Sequence, residues 1–171
     1  INHHTGSRYR DDAMYEAAVT YTIVEDDGNA LAYFDRLIES YPNSSYAATA
    51  YLKKGFIYYN SNEYESAINT FKLAISKYPA SKESQEALAA LKNIYLDMNR
   101  INDYYSYAKG LSFAEVSASE EDSLNYAAAE NIYLQGDHSR AASAFETYLV
   151  QFPQGGYVDH ARYYLAECFI K

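Results

Sequence analysis

Apolar positions in this chain recur at helical spacing. Tyr51, Gly55, Tyr58 and Tyr59 fall on one face of a helix, and Ala67, Phe71, Ala74 and Ile75 on one face of another. Between them lies Asn60-Ser61-Asn62-Glu63, a polar turn with good capping residues. Gln135-Gly136-Asp137 takes the same place later in the chain, and Asp26-Asp27-Gly28-Asn29 lies near it at the start. The pattern predicts helices at about 11–24, 27–41, 44–60, 63–78, 81–99, 101–115, 120–135, 137–152 and 156–170. These make four helix pairs and a ninth helix. Ser119 followed by Glu120-Glu121-Asp122 reads as a helix start, with the carboxylates near the positive end of the dipole.

The prolines give these pairs a period. Pro42, Pro79 and Pro153 are spaced by 37 and 74 residues, and the empty slot between the last two is Val116. Each proline closes an amphipathic run that ends in an aromatic, as in Tyr41-Pro42, Tyr78-Pro79 and Phe152-Pro153. A helix stopped by the proline explains that phrase. Overlaying the 37-residue units aligns Phe34, Phe71 and Phe145 in one column and Ala30, Ala67 and Ala141 in another. Tyr21, Tyr58, Tyr95 and Ile132 form a third. Small residues where helices approach closely, with large aromatics beside them, suit antiparallel helix pairs.

Composition narrows the function. The 171 residues suffice for one domain or four to five repeats. Fourteen basic against 23 acidic side chains give a net charge of −9, which argues against nucleic acid as a partner. An apolar content of 49% predicts a packed core, yet no stretch is continuous enough to insert in a membrane. The single Cys168 rules out an internal disulfide and a thiol pair for zinc. Twenty-one tyrosines without a tryptophan are the strongest bias. The chain opens Ile-Asn-His-His, without an initiator Met or a signal-peptide pattern, so it is expected to be a processed protein or a piece of a longer one. Residues 1–10 are expected to be extended or disordered, with His3 and His4 too few for a metal site.

The unit from Tyr51 to Pro79 resembles a tetratricopeptide repeat. Gly55, Tyr58, Tyr64, Ala67, Phe71, Ala74 and Pro79 stand at that motif's signature spacing, with Lys54 where a leucine is usual. The unit ending at Pro42 keeps Tyr21, Ala30 and Phe34 with Ala18 for the glycine, and the one ending at Pro153 keeps Ala141 and Phe145 with Ala129. The unit after Pro79 is degenerate, with Lys92, Tyr104 and Ala108 for the Gly, Ala and aromatic. The resemblance implies an all-α fold, a right-handed superhelical solenoid of about four helix pairs plus a terminal helix. It would form a single array over residues 11–171, in units of about 11–43, 44–80, 81–117, 120–154 and 156–171. The final helix either caps the last pair or opens a fifth unit, and Tyr163, Leu165, Ala166 and Phe169 match the first-helix columns. The 37-residue variant looks like the repeats of bacterial periplasmic and outer-membrane assembly factors, and that resemblance implies a periplasmic or outer-membrane-associated location.

The same resemblance implies that the first helix of each pair lines a concave groove. Carried over by position, the partner-binding residues are Tyr15, Val19, Leu52, Phe56, Tyr59, Asn60, Asn93, Leu96, Tyr126, Glu130, Tyr133 and Tyr163. No cation stands in the two columns that clamp a carboxylate in some members, namely Tyr15, Leu52, Ala89, Tyr126, Tyr163 and Val19, Phe56, Asn93, Glu130, Glu167. An aromatic, acid-edged groove suits a peptide with apolar anchors and basic flanks. The implied function is a non-enzymatic module that binds a protein or peptide segment. A glycan-binding component and a structural spacer within a longer protein are the alternatives. No catalytic residue, metal site or cofactor is expected: the glycines are scattered, Cys168 lies on an apolar face, and His138 and His160 lack spaced carboxylates. Unshielded repeat ends are expected to favour self-association.

Overall fold

A computed structural model describes residues 7–171; His3 and His4 lie outside the described residues. Among those residues every regular element is an α-helix: α1 Ser7–Ile23, α2 Asp27–Ser40, α3 Ala47–Asn60, α4 Tyr64–Lys77, α5 Lys82–Asp97, α6 Ile101–Ala108, α7 Ala118–Leu134, α8 His138–Gln151 and α9 Val158–Ile170. The all-α architecture of helix pairs with a ninth helix is as expected. By compactness the chain divides into two units, Ile1–Leu91 and Lys92–Lys171, with the boundary inside α5. The division falls in the degenerate repeat, whose second helix, α6, has only eight residues.

In the first unit α1 packs on α2, α2 on α3 and α3 on α4. Ala18, Ala30, Phe34, Leu37, Ala47 and Ala50 form the centre of one core cluster there. Gly55 is small for a reason. A Cβ built on it would meet the buried Phe71 ring, with Cδ1 at 2.7 Å and Cζ at 2.8 Å. In the second unit α7 packs on α8 and α8 on α9, around Tyr126, Ala129, Ile132, Ala141, Phe145 and Tyr148. Sizes are exchanged in the degenerate repeat. Lys92 stands in the small column, while Ala108 stands in the phenylalanine column and is fully buried. The Lys92 ammonium pairs with Glu120 at 2.9 Å.

The period reappears in the backbone. Glu25, Asn62, Asn99 and Gly136 have φ of 60°, 60°, 55° and 84°, and they are spaced by one 37-residue period. Each closes the turn between the helices of a pair. After that residue the N–H of Asp26, Glu63 and Arg100 donates back to the carbonyl of Tyr21, Tyr58 and Tyr95, the six-residue bond of a Schellman motif. The prolines act as expected: α2, α4 and α8 end at Ser40, Lys77 and Gln151, two residues before Pro42, Pro79 and Pro153.

Several boundaries move, each for a local reason. Residues 7–10 are helical rather than extended, because nothing after Gly6 interrupts α1. The third helix starts at Ala47, not at 44, because Ser44 is engaged in the preceding turn, where its Oγ donates to Asp11 Oδ2 at 2.6 Å. The sixth helix stops at Ala108, well short of 115, where the Gly110 N–H turns back to the Tyr107 carbonyl. The seventh starts at Ala118, capped by Ser117 rather than Ser119: Ser117 Oγ accepts the Glu120 N–H at 3.1 Å.

Candidate partner-binding surface

The second unit gathers tyrosines and carboxylates on α7 and α9. Tyr126 donates to Glu130 Oε1 at 2.8 Å, four residues along the same helix. One period later Tyr163 stands at 3.5 Å from Glu167 Oε1 in the same relation. Tyr133 joins the two helices: its hydroxyl donates to Glu167 Oε2 at 3.1 Å and accepts from Lys171 Nζ at 3.0 Å. The Lys171 ammonium also stands 5.2 Å from the Tyr133 ring centroid, and its hydrogen bond to Tyr133 raises its pKa. Glu130, Tyr133 and Glu167 are half-buried and Tyr163 is 61% exposed. The surface therefore offers aromatic area edged by two carboxylates.

Tyr126 is a correction. It was expected to face a partner, but it is buried, and it stacks on Tyr157 with ring centroids 4.7 Å apart and planes at 11°. Burial first, then its bond to Glu130, holds its phenol well above the usual tyrosine range. It sets the wall of the surface and the position of Glu130. Leu52 is buried as well and fills the core of the first unit instead of lining a groove.

In the first unit, Tyr15 and Val19 on α1 are half-buried and pack against the core, while Phe56, Tyr59 and Asn60 on α3 reach the surface to different extents. Tyr15 stacks on Tyr46, with centroids 4.5 Å apart. Phe56 sits edge-on to Phe71, and Tyr59 lies against Tyr64. Of the remaining expected residues, Asn93 is exposed and Leu96 half-buried, both on α5.

Tyr46 and Tyr157 were missed at the sequence level, yet their signal is there. They lie three periods apart in the turns before α3 and α9, and each stacks on the first-helix tyrosine of the preceding repeat. Asp11 and Asp122 are likewise three periods apart and anchor those turns. Asp122 accepts the Tyr148 hydroxyl at 2.5 Å and the Gly156 N–H at 2.7 Å. The Tyr148 oxygen in turn accepts the Tyr157 N–H at 3.2 Å. Glu120, Glu121 and Asp122 are thus occupied with Lys92, Lys109 and Tyr148 respectively.

Other chemistry is sparse. Among the described residues no group of three or more His, Cys, Asp or Glu is arranged to hold a metal ion, and no helix is long and apolar enough to cross a membrane. Burial raises the Cys168 thiol pKa, the opposite of what an activated nucleophile needs. An open cleft of about 330 Å³ lies between the start of α6 and the α7–α8 pair, lined by Asn99, Asn102, Asn125, Thr147 and Gln151 over Ala128.

No curated protein matches the chain. Among solved structures it is similar to YrrB, a TPR protein described as having an unusual peptide-binding site, at 21% identity and a TM-score of 0.46, over 92% of this chain and 75% of that one. The tetratricopeptide repeat family model matches residues 12–44 and 49–81, the stretches that hold the α1–α2 and α3–α4 pairs.

Proposed function

We propose that the chain is a non-enzymatic interaction module that binds a segment of a partner protein on the first-helix faces of its repeats. The observation that carries this is the α7–α9 surface, where Tyr133 and Tyr163 lie beside Glu130 and Glu167. Rigid aromatics give contact area at little entropic cost, and half-buried carboxylates favour a basic flank on the ligand. In the first unit Phe56, Tyr59 and Asn60 supply a second, uncharged contact face.

Selection from a random peptide library tests the reading. The wild-type chain is expected to enrich peptides with apolar anchors and Lys or Arg flanks, and the Tyr133→Ala and Tyr59→Ala variants to lose that enrichment. A structural spacer would select nothing. A glycan binder would instead retain sugars on a carbohydrate array, indifferent to salt and to the Glu residues. Resemblance of the 37-residue unit to the repeats of bacterial envelope assembly factors is the ground for an envelope location, which cell fractionation with an antibody to the chain would check.

A further inference from the structure

The seam between the degenerate repeat and the one that follows it stays open. The cleft of about 330 Å³ found there lies at the small end of the range for ligand sites. Both its walls and the turn before α6 belong to the second unit. Short side chains carve it. From α7 come Asn125, Ala128 and Ala129, and from α8 Ala144, Thr147 and Gln151. One period before Asn125 and Ala128 stand Leu88 and Leu91, which are 8% and 0% exposed. Ala144 falls in the column of Tyr33 and Tyr107. The chain thus places small residues on both walls of this seam where other repeats carry large ones.

The polar groups of the cleft are mostly set up as acceptors. Asn99 Oδ1, on the turn before α6, is buried and accepts no hydrogen bond from any described residue. A buried oxygen in that state costs stability until a donor reaches it. Asn125 Nδ2 donates to the Glu121 carbonyl at 2.7 Å, and Thr147 Oγ1 to the Ser143 carbonyl at 2.8 Å. Each of these two side chains therefore keeps oxygen lone pairs for a further donor. At the rim, Asn102 and Gln151 are exposed carboxamides that can also donate. Charge is balanced, because Arg100 Nε pairs with Asp103 at 2.7 Å.

A matching ligand is uncharged, slim over a floor of alanine methyls, and carries donors on its inner side with acceptors toward the rim. A peptide strand has those properties, since each of its units brings one N–H and one C=O that both need partners. A sugar brings donors too, but its C–H face needs an exposed aromatic ring, and the one ring at this cleft, Tyr148, is 1% exposed. We propose that the cleft binds an uncharged peptide segment with small side chains, its N–H groups donating to Asn99, Asn125 and Thr147. The site is separate from the tyrosine–carboxylate surface, because Glu130 and Tyr133 project from another side of α7 than Asn125 and Ala128.

Methyl NMR of the 171-residue chain tests this, with acetyl-trialanine methylamide as the probe. The probe should shift the methyl signals of Ala128, Ala129 and Ala144 saturably, with a Kd on the order of millimolar for so small a ligand. The same peptide N-methylated at every amide, which has no N–H to donate, should bind at least about tenfold more weakly, and so should glucose. Ala128→Leu, which installs the side chain found one period earlier, should abolish the shifts of Ala129 and Ala144. Two milder variants remove acceptors with the fold kept. Thr147→Val preserves the shape of an exposed side chain, and Asn99→Gly suits a left-handed position that Gly136 fills in the next pair. Each should weaken binding several-fold with an unchanged circular-dichroism spectrum, while Tyr133→Ala should bind the probe as the wild type does. No saturable shift, equal binding of the N-methylated peptide or of glucose, or wild-type affinity in both Thr147→Val and Asn99→Gly would overturn the proposal.

Discussion

Glu25 occupies a left-handed backbone position that Asn62, Asn99 and Gly136 fill in the other pairs. Asparagine and glycine tolerate that conformation; a glutamate there costs roughly 1 kcal/mol in steric strain. Glu25→Gly is therefore expected to raise stability by about 0.5–1 kcal/mol in urea denaturation, although the residue touches no core. Gly55 presents the reverse case. A glycine inside a helix ordinarily gains from replacement by alanine, but here the Phe71 ring occupies the space of a Cβ. Gly55→Ala should lose about 1–3 kcal/mol, with Gly55→Leu losing at least as much, and an unchanged melting curve would refute the packing described for this pair. The role of Gly55 was legible because its column and that of Phe71 repeat. The strained position was harder to see, since Glu25 breaks the Asn and Gly pattern that would have marked it.

Among the elements, α7 depends most on its ends. Ser117 caps it, and Asp122 ties its first turns to the turn before α9 through Tyr148 and Gly156. Ser117→Ala should cost about 1 kcal/mol as an N-cap loss. Asp122→Ala should cost about 1–3 kcal/mol, because the hydroxyl of the fully buried Tyr148 loses its acceptor. Thermal melts of the two variants would check both. Helix order and the proline stops were legible from periodicity alone. The end of α6 was not, because apolar spacing continues past Gly110 while the backbone turns there. The site was half legible for a related reason. Position along a first helix predicts which face a side chain occupies, but not whether a turn residue covers it. Tyr126 lies under Tyr157, whereas Tyr133 and Glu130 stay accessible.

At the scale of the whole molecule, the tyrosines couple stability to alkaline pH. Burial, followed by the bond to Asp122, pushes the Tyr148 phenol up from 10.0 to about 12, and burial raises Tyr51, Tyr78, Tyr104, Tyr105, Tyr107 and Tyr126 as well. A phenol that holds its proton more tightly when folded stabilises fully below the unfolded pKa near 10 and loses that contribution as pH rises through its folded value. The chain should therefore unfold cooperatively above about pH 10, with tyrosinate absorbance and helical signal changing together. Ionisation of all 21 tyrosines with the helices still intact would mean that these rings are not protected as described.

The central claim, an acid-edged aromatic surface for a basic partner segment, is tested most directly by titrating one selected Lys- or Arg-flanked peptide into the wild-type chain and into the Glu130→Gln, Glu167→Gln double variant at low and high salt. The account predicts wild-type binding that weakens with salt, and a folded double variant that binds about tenfold more weakly at low salt and has lost most of the salt dependence. Equal affinity of the two proteins at both salt concentrations would contradict it.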